Sequence, residues 1–148
     1  RRAPWDIILM FGGGLALAEA IGETGLALWI GERLEGAGGL PVWALAALIV
    51  ALVILVTEFA SNVAAASGFI PVVADLCLAT GIDPVLLAAP AAMAASWGFM
   101  MPAGTAPNAL AYATGYPKVS QMVRAGGALD LAGIPLIVAV CFAIAALA

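Results

Sequence analysis

Glu58-Phe59-Ala60-Ser61-Asn62-Val63-Ala64 and Pro102-Ala103-Gly104-Thr105-Ala106-Pro107-Asn108-Ala109 hold the two asparagines of the chain, and each stretch interrupts a long apolar segment. Around both lie runs of Ala, Val, Leu and Ile that read as membrane helix. In hydrocarbon an unpaired backbone group costs several kcal/mol, so a spanning segment breaks only where the break is buried in protein or lines a cavity. Two such breaks, each with hydroxyl, amide and freed carbonyl oxygens, point to a midplane binding site for a polar solute or a cation.

Composition supports the membrane class. The chain has 148 residues, of which 65% are hydrophobic and only 9% charged. Soluble domains carry about 25% charged residues. Residues 36–57, 84–117 and 131–148 carry no charge at all. The net charge of −4 comes from scattered acids, and no basic patch exists for nucleic acid. There is no histidine, and no nucleophile–base pair can be placed, so an enzyme is not expected. Cys77 and Cys141 lie far apart in apolar segments and support neither a disulfide framework nor a metal site.

Five segments follow from the apolar runs. Residues 5–21 form a first span, and residues 24–34 mix Trp29, Ile30 and Leu34 with acids as an interfacial helix would. Residues 42–60 and 64–79 form two helices joined by Ser61-Asn62-Val63. That connection is short, small and nearly apolar, which suits a re-entrant hairpin with a buried tip better than two full spans. Residues 84–115 would far exceed the ~30 Å core as one straight helix, and the break at 102–108 divides them. Residues 119–148 supply the last span.

Charge sets the orientation. Counting crossings puts Arg1, Arg2, Lys118 and Arg124 on one side and Arg33, beside several acids, on the other. The positive-inside bias makes the first side cytoplasmic, so the hairpin enters from outside and the C-terminus ends outside. The opening Arg1-Arg2-Ala3-Pro4 lacks a Met and does not fit an export signal, so the sequence is expected to begin inside a longer protein.

The residues at the breaks carry binding chemistry. Thr57 and Ser61 are four apart and share a helix face. A helix end offers carbonyls and negative potential to a cation; a helix start offers N–H groups to an anion. One tip thus presents both. The same residues also fit a serine cap with a polar helix contact. Pro107 lacks an N–H and, with Gly104, would free carbonyls for a hard cation; an ordinary proline kink gives the same pattern. Glu58 lies in the tip, where a bare charge would be costly. Glu19 and Asp130 lie nearer helix ends and are expected to face the interface. Gly12-Gly13-Gly14 lacks the Lys-Ser/Thr of a phosphate loop and reads as a packing or bending element. Trp5, Trp29 and Trp43 fit an aromatic belt, and Trp97 fits packing.

These motifs resemble those of the divalent anion/sodium symporter family, the family of solute carrier 13. Thr57-Glu58-Phe59-Ala60-Ser61-Asn62-Val63 resembles its second Ser-Asn-Thr motif. Met101-Pro102-Ala103-Gly104-Thr105-Ala106-Pro107-Asn108-Ala109 resembles its Leu-Pro-Val-Ala-Thr-Pro-Pro-Asn-Ala stretch. Trp5-Asp6-Ile7-Ile8-Leu9-Met10-Phe11-Gly12-Gly13-Gly14 resembles the start of its C-terminal repeat. The resemblance implies an all-α membrane protein made of one inverted-topology repeat, with a re-entrant hairpin and a broken transmembrane helix. Residues 1–41 would be a transmembrane plus interfacial helix, 42–80 the hairpin, 84–115 the broken helix and 119–148 the last transmembrane helix, with the N-terminal repeat missing.

The function it implies is sodium-coupled symport of a dicarboxylate, citrate or sulfate by a dimeric, elevator-type carrier in a prokaryotic inner membrane. Sodium is then co-transported and no organic cofactor is needed. Thr57, Ala60, Asn62, Gly104 and Ala106 would hold sodium, mostly through backbone carbonyls, while Ser61, Asn62, Val63 and Thr105 would face the substrate. Val63 stands where the motif has Thr, and Ala106 where it has Pro. Two other readings compete: a carrier of another ion-transporter type, such as a sodium/proton antiporter or arsenite exporter using Glu58, and an inert half-transporter.

Overall fold

The computed structural model describes residues 23–24, 40–59, 62–102 and 105–147. The expected first span, the interfacial helix and the Gly12–Gly14 run therefore lie outside the described residues, as do Ala60, Ser61 and Gly104.

Five helices and no strand occur among the described residues: α1 Val42–Thr57, α2 Asn62–Thr80, α3 Pro84–Ala94, α4 Ala106–Ala113 and α5 Val119–Leu147. Their ends follow local chemistry. Gly81 adopts φ +68°, a left-handed conformation open to glycine, and stops α2. Asp83 then accepts the Val85 N–H at 2.8 Å, and Pro84 occupies the first turn of α3, where its missing N–H costs nothing. Gly115, at φ +76°, ends α4 in the same way as Gly81 ends α2.

Among the described residues, only α2 and α5 are long and apolar enough to cross a membrane. At 1.5 Å per residue α1 reaches about 24 Å and α3 about 17 Å, short of the ~30 Å hydrocarbon core. Large apolar side chains such as Trp43, Leu48, Leu55, Phe59 and Leu78 lie exposed around the bundle. Apolar surface of that extent suits lipid or protein, not water.

α3 is the hub of the bundle. It packs against α1, α2 and α5, and α1 also packs on α5. Leu87, Ala91 and Ala94 of α3 and Ala46, Val50 and Val53 of α1 form the centre of the core. Cys77 and Cys141 are buried free thiols, Cys141 lying 3.7 Å from the Met93 sulfur.

The helix break is longer than the sequence indicates. The sequence places it at 102–108, yet α3 already ends at Ala94, and residues 95–102 and Thr105 are non-helical. Tertiary contacts decide this. Glu58 accepts the N–H groups of Met100 and Met101, and Asn108 donates to the carbonyls of Gly98 and Met101. Pro107, read from the sequence as the breaking residue, sits in the first turn of α4 and helps the helix restart.

Candidate functional site

The site begins at the last residue of α1. Thr57 is completely buried. Its hydroxyl donates to the Ala95 carbonyl at 2.8 Å and to Oδ1 of Asn62 at 3.0 Å. Ala95 caps the end of α3, and Asn62 is the first residue of α2. A hydroxyl has one proton, so two acceptors share it and three oxygens crowd one point. That point is also where the C-terminal ends of α1 and α3 meet, each bearing partial negative charge. Oxygen ligands in a negative field are what a hard cation such as sodium requires.

Glu58, Asn108 and Thr105 hold the break open. Glu58, fully buried, accepts the Met100 N–H at 2.9 Å on one carboxylate oxygen and the Met101 N–H at 2.6 Å on the other. Asn108 donates its side-chain N–H to the carbonyls of Gly98 at 3.3 Å and Met101 at 3.1 Å. Thr105 caps α4, its hydroxyl accepting the Asn108 N–H at 3.3 Å. The Met100 and Met101 N–H groups and the Ala95, Gly98 and Met101 carbonyls freed by the break are thus taken up by side chains, as burial demands.

Glycine makes the close approaches possible. A Cβ on Gly98 would stand 3.1 Å from Cγ2 of Thr57 and 3.4 Å from a Glu58 carboxylate oxygen. On α5, a Cβ on Gly126 would collide with the Phe99 carbonyl, and one on Gly133 with the Trp97 indole. Gly126, Asp130, Gly133 and Ile137 follow helical spacing and are all buried, so one stripe of α5 lies flat on the break. Trp97 donates its indole N–H to the Leu129 carbonyl at 3.3 Å and meets Phe99 edge to face.

A cavity of about 440 Å³ opens beside the Thr57–Asn62 contact, lined by Asn62, Val63, Ala66, Ser67, Ile70, Pro71 and Ser96. Asn62 therefore belongs to both places. Val63 is about half exposed on this cavity and packs into no core.

Of the residues singled out from the sequence, the structure joins Thr57 and Asn62 directly and sets Val63 beside them. Ala106 opens α4, and Thr105 serves as its cap. Asp130 is a correction: expected at the interface, it is only 4% exposed, because the glycine stripe presses this part of α5 onto the break. The sequence reading missed the Ala95 carbonyl, Gly98 and the Gly126/Gly133 stripe. The stripe left a signal, two glycines seven apart in an apolar helix; the carbonyl left none.

A membrane carrier of the ion-coupled class is the kind of protein in which broken helices place carbonyls and helix ends around a cation. The family model for the sodium:sulfate symporter transmembrane region matches residues 1–146, and the chain belongs to that family. It is 41% identical over 139 residues to the sodium-dependent dicarboxylate transporter SdcS of Staphylococcus saprophyticus, covering 94% of this chain and 27% of that protein. The SdcS of Staphylococcus aureus strain USA300 is 40% identical over 142 residues, covering 96% of this chain and 27% of the relative. The chain thus spans about a quarter of the length of these curated relatives. It is a membrane protein of a transporter family with bacterial relatives.

Proposed function

We propose that the chain works as the C-terminal repeat of a sodium-coupled symporter for a small divalent anion, a dicarboxylate, citrate or sulfate. The observation that carries this reading is the meeting of Thr57, Asn62 and the Ala95 carbonyl at two helix C-terminal ends. Sodium is cargo here, held by these oxygens together with carbonyls of Ala60, Gly104 and Ala106. The anion occupies the cavity lined by Asn62 and Val63, with the start of α2 directed at its charge, and Ser61 and Thr105 are assigned to it on the family resemblance.

Asn62 links the two ligands. Filling the cation position fixes its Oδ1, which orients its amide N–H groups toward the neighbouring cavity. Sodium also neutralises the negative end of α1 before an anion approaches. Each ligand then favours the other, which is the reciprocal coupling that symport needs.

The names of the staphylococcal relatives support sodium and dicarboxylate, and the family description supports sodium and sulfate. We assign residues 42–80 to a re-entrant hairpin, 84–115 to a broken helix, 119–148 to the last transmembrane helix and 1–41 to the first transmembrane and interfacial helices. An N-terminal repeat completes the anion site, two copies form the dimer, and the C-terminus lies outside.

The antiporter reading needs Glu58 free to exchange a proton with solvent. Its complete burial and its two backbone N–H bonds favour a bracing role instead. The test is uptake of labelled succinate, citrate and sulfate into proteoliposomes holding the complete transporter. Symport predicts accumulation driven by an inward sodium gradient and absent with potassium. Equal uptake in both salts contradicts it.

A further inference from the structure

Three side chains lining the cavity beside Asn62 have a proton to give: Asn62 itself, Ser67 and Ser96. The other lining residues are apolar, Val63 among them. Ser67 donates back into its own helix, to the Val63 carbonyl at 2.7 Å. Asn62 accepts the Thr57 hydroxyl on Oδ1, which leaves its amide N–H groups for the cavity. Ser96 is exposed, and its hydroxyl makes no hydrogen bond among the described residues.

The backbone fixes where that hydroxyl stands. The Ser96 N–H donates to the Met93 carbonyl at 3.1 Å, and the Trp97 N–H donates to the Ala94 carbonyl at 2.9 Å. These bonds span three residues and tighten the turn that closes α3. On one side of Ser96, Ala95 is buried with its carbonyl on the Thr57 hydroxyl. On the other side, the Trp97 indole donates to the Leu129 carbonyl of α5. Ser96 is held between two anchored neighbours while its own side chain stays at the cavity. A donor fixed before the ligand arrives loses less freedom on binding.

We propose that Ser96 is a substrate-contacting residue that donates its hydroxyl to the anion from the α3 side of the cavity. Val63, on the α2 side, has no proton to give. A hydroxyl bonded to a carboxylate or sulfate oxygen is a charge-assisted contact. The assignment deepens the symport reading and rests on it for the nature of the ligand. Consecutive residues then serve the two ligands, the Ala95 carbonyl the cation cluster and the Ser96 side chain the anion. Sodium held at the Ala95 carbonyl steadies the peptide unit that carries Ser96, so the two sites are coupled through α3 as well as through Asn62.

The complete transporter and its Ser96→Ala and Ser96→Thr variants are reconstituted in proteoliposomes. Uptake is measured with whichever of succinate, citrate and sulfate wild type carries best, first against anion at saturating sodium, then against sodium at saturating anion. Ser96→Ala should need about tenfold more anion for half-maximal uptake, the loss of one hydrogen bond to a charged group. Its sodium dependence should stay nearly unchanged. Ser96→Thr keeps the hydroxyl and should stay near wild type in both. A wild-type anion dependence in Ser96→Ala overturns the proposal, as does an equal loss in the Ala and Thr variants, or a raised sodium requirement with the anion requirement unchanged. Ser96→Cys, in a background without other reactive cysteines, gives a reading that needs no transport. A negatively charged thiol reagent should modify it, and the anion should slow that reaction when sodium is present. Modification at the same rate with and without the anion, in sodium and in potassium, overturns the proposal. Wild-type uptake that is equal in both salts contradicts the symport reading instead, and protection of Ser96→Cys by the anion in both salts then still places Ser96 at the anion.

Discussion

Thr57 and Asn62 face each other across the turn between α1 and α2, their side-chain oxygens 3.0 Å apart, and the Thr57 hydroxyl reaches on to Ala95 at 2.8 Å. One side chain therefore joins the ends of three helices. Removing it tests whether the junction is a cation site or only a brace. Thr57→Ala takes away one buried oxygen and should raise the sodium needed for half-maximal uptake about five- to hundredfold, given ~1–3 kcal/mol for a lost buried partner. Thr57→Ser keeps the hydroxyl and should change it little. If both variants melt lower while sodium dependence stays fixed, the junction is a brace.

Glycine spacing makes a prediction about stability. Gly126→Ala puts a methyl group into the Phe99 carbonyl, which rigid backbone cannot yield. Overpacking costs about 1–3 kcal/mol or more. The adjacent Gly127→Ala meets only the flexible Met100 side chain, its sulfur 3.3 Å away, and should be tolerated. Thermal unfolding of the two purified variants checks this: Gly126→Ala should melt clearly lower, and equal melting points would detach α5 from the break.

Much of this was legible in the sequence because hydrophobic runs and helix signals act locally. Gly81, Asp83 and Pro84 mark a stop, a cap and a restart on their own, and Asn62 announces itself as an amide in an apolar run. The true extent of the break was not legible. Residues 95–101 carry only two local helix-breaking signals, Gly98 and the Pro102 that follows Met101; the N–H groups of Met100 and Met101 are bound by Glu58, about forty residues earlier. The burial of Asp130 was hidden for the same reason. It depends on Gly126 and Gly133 meeting a segment some thirty residues away.

Val63 concerns anion choice. It lines the cavity half exposed, so Val63→Thr adds a hydroxyl without filling a core position. The expected outcome is altered competition among succinate, citrate and sulfate, with sodium affinity and melting temperature nearly unchanged. A uniform loss for all three anions together with a lower melting temperature would place Val63 in packing.

Orientation is open to a labelling test. Cys77 and Cys141 are buried, which keeps background labelling low. A cysteine replacing Ala148 should react with an impermeant thiol reagent on intact cells, and one replacing Lys118 should react only after permeabilisation. The reverse pattern rejects the assigned topology.

Asn62 bonds Thr57 in the oxygen cluster and also lines the neighbouring cavity, the two places proposed for sodium and for the anion. The direct measurement is the sodium concentration dependence of succinate uptake by the complete transporter carrying Asn62→Ala, compared with wild type in proteoliposomes. The expected result is a half-saturating sodium concentration raised about five- to hundredfold, from the ~1–3 kcal/mol cost of losing a buried polar partner, with weaker succinate binding alongside it. An Asn62→Ala transporter that folds, carries succinate and keeps the wild-type sodium dependence would contradict it.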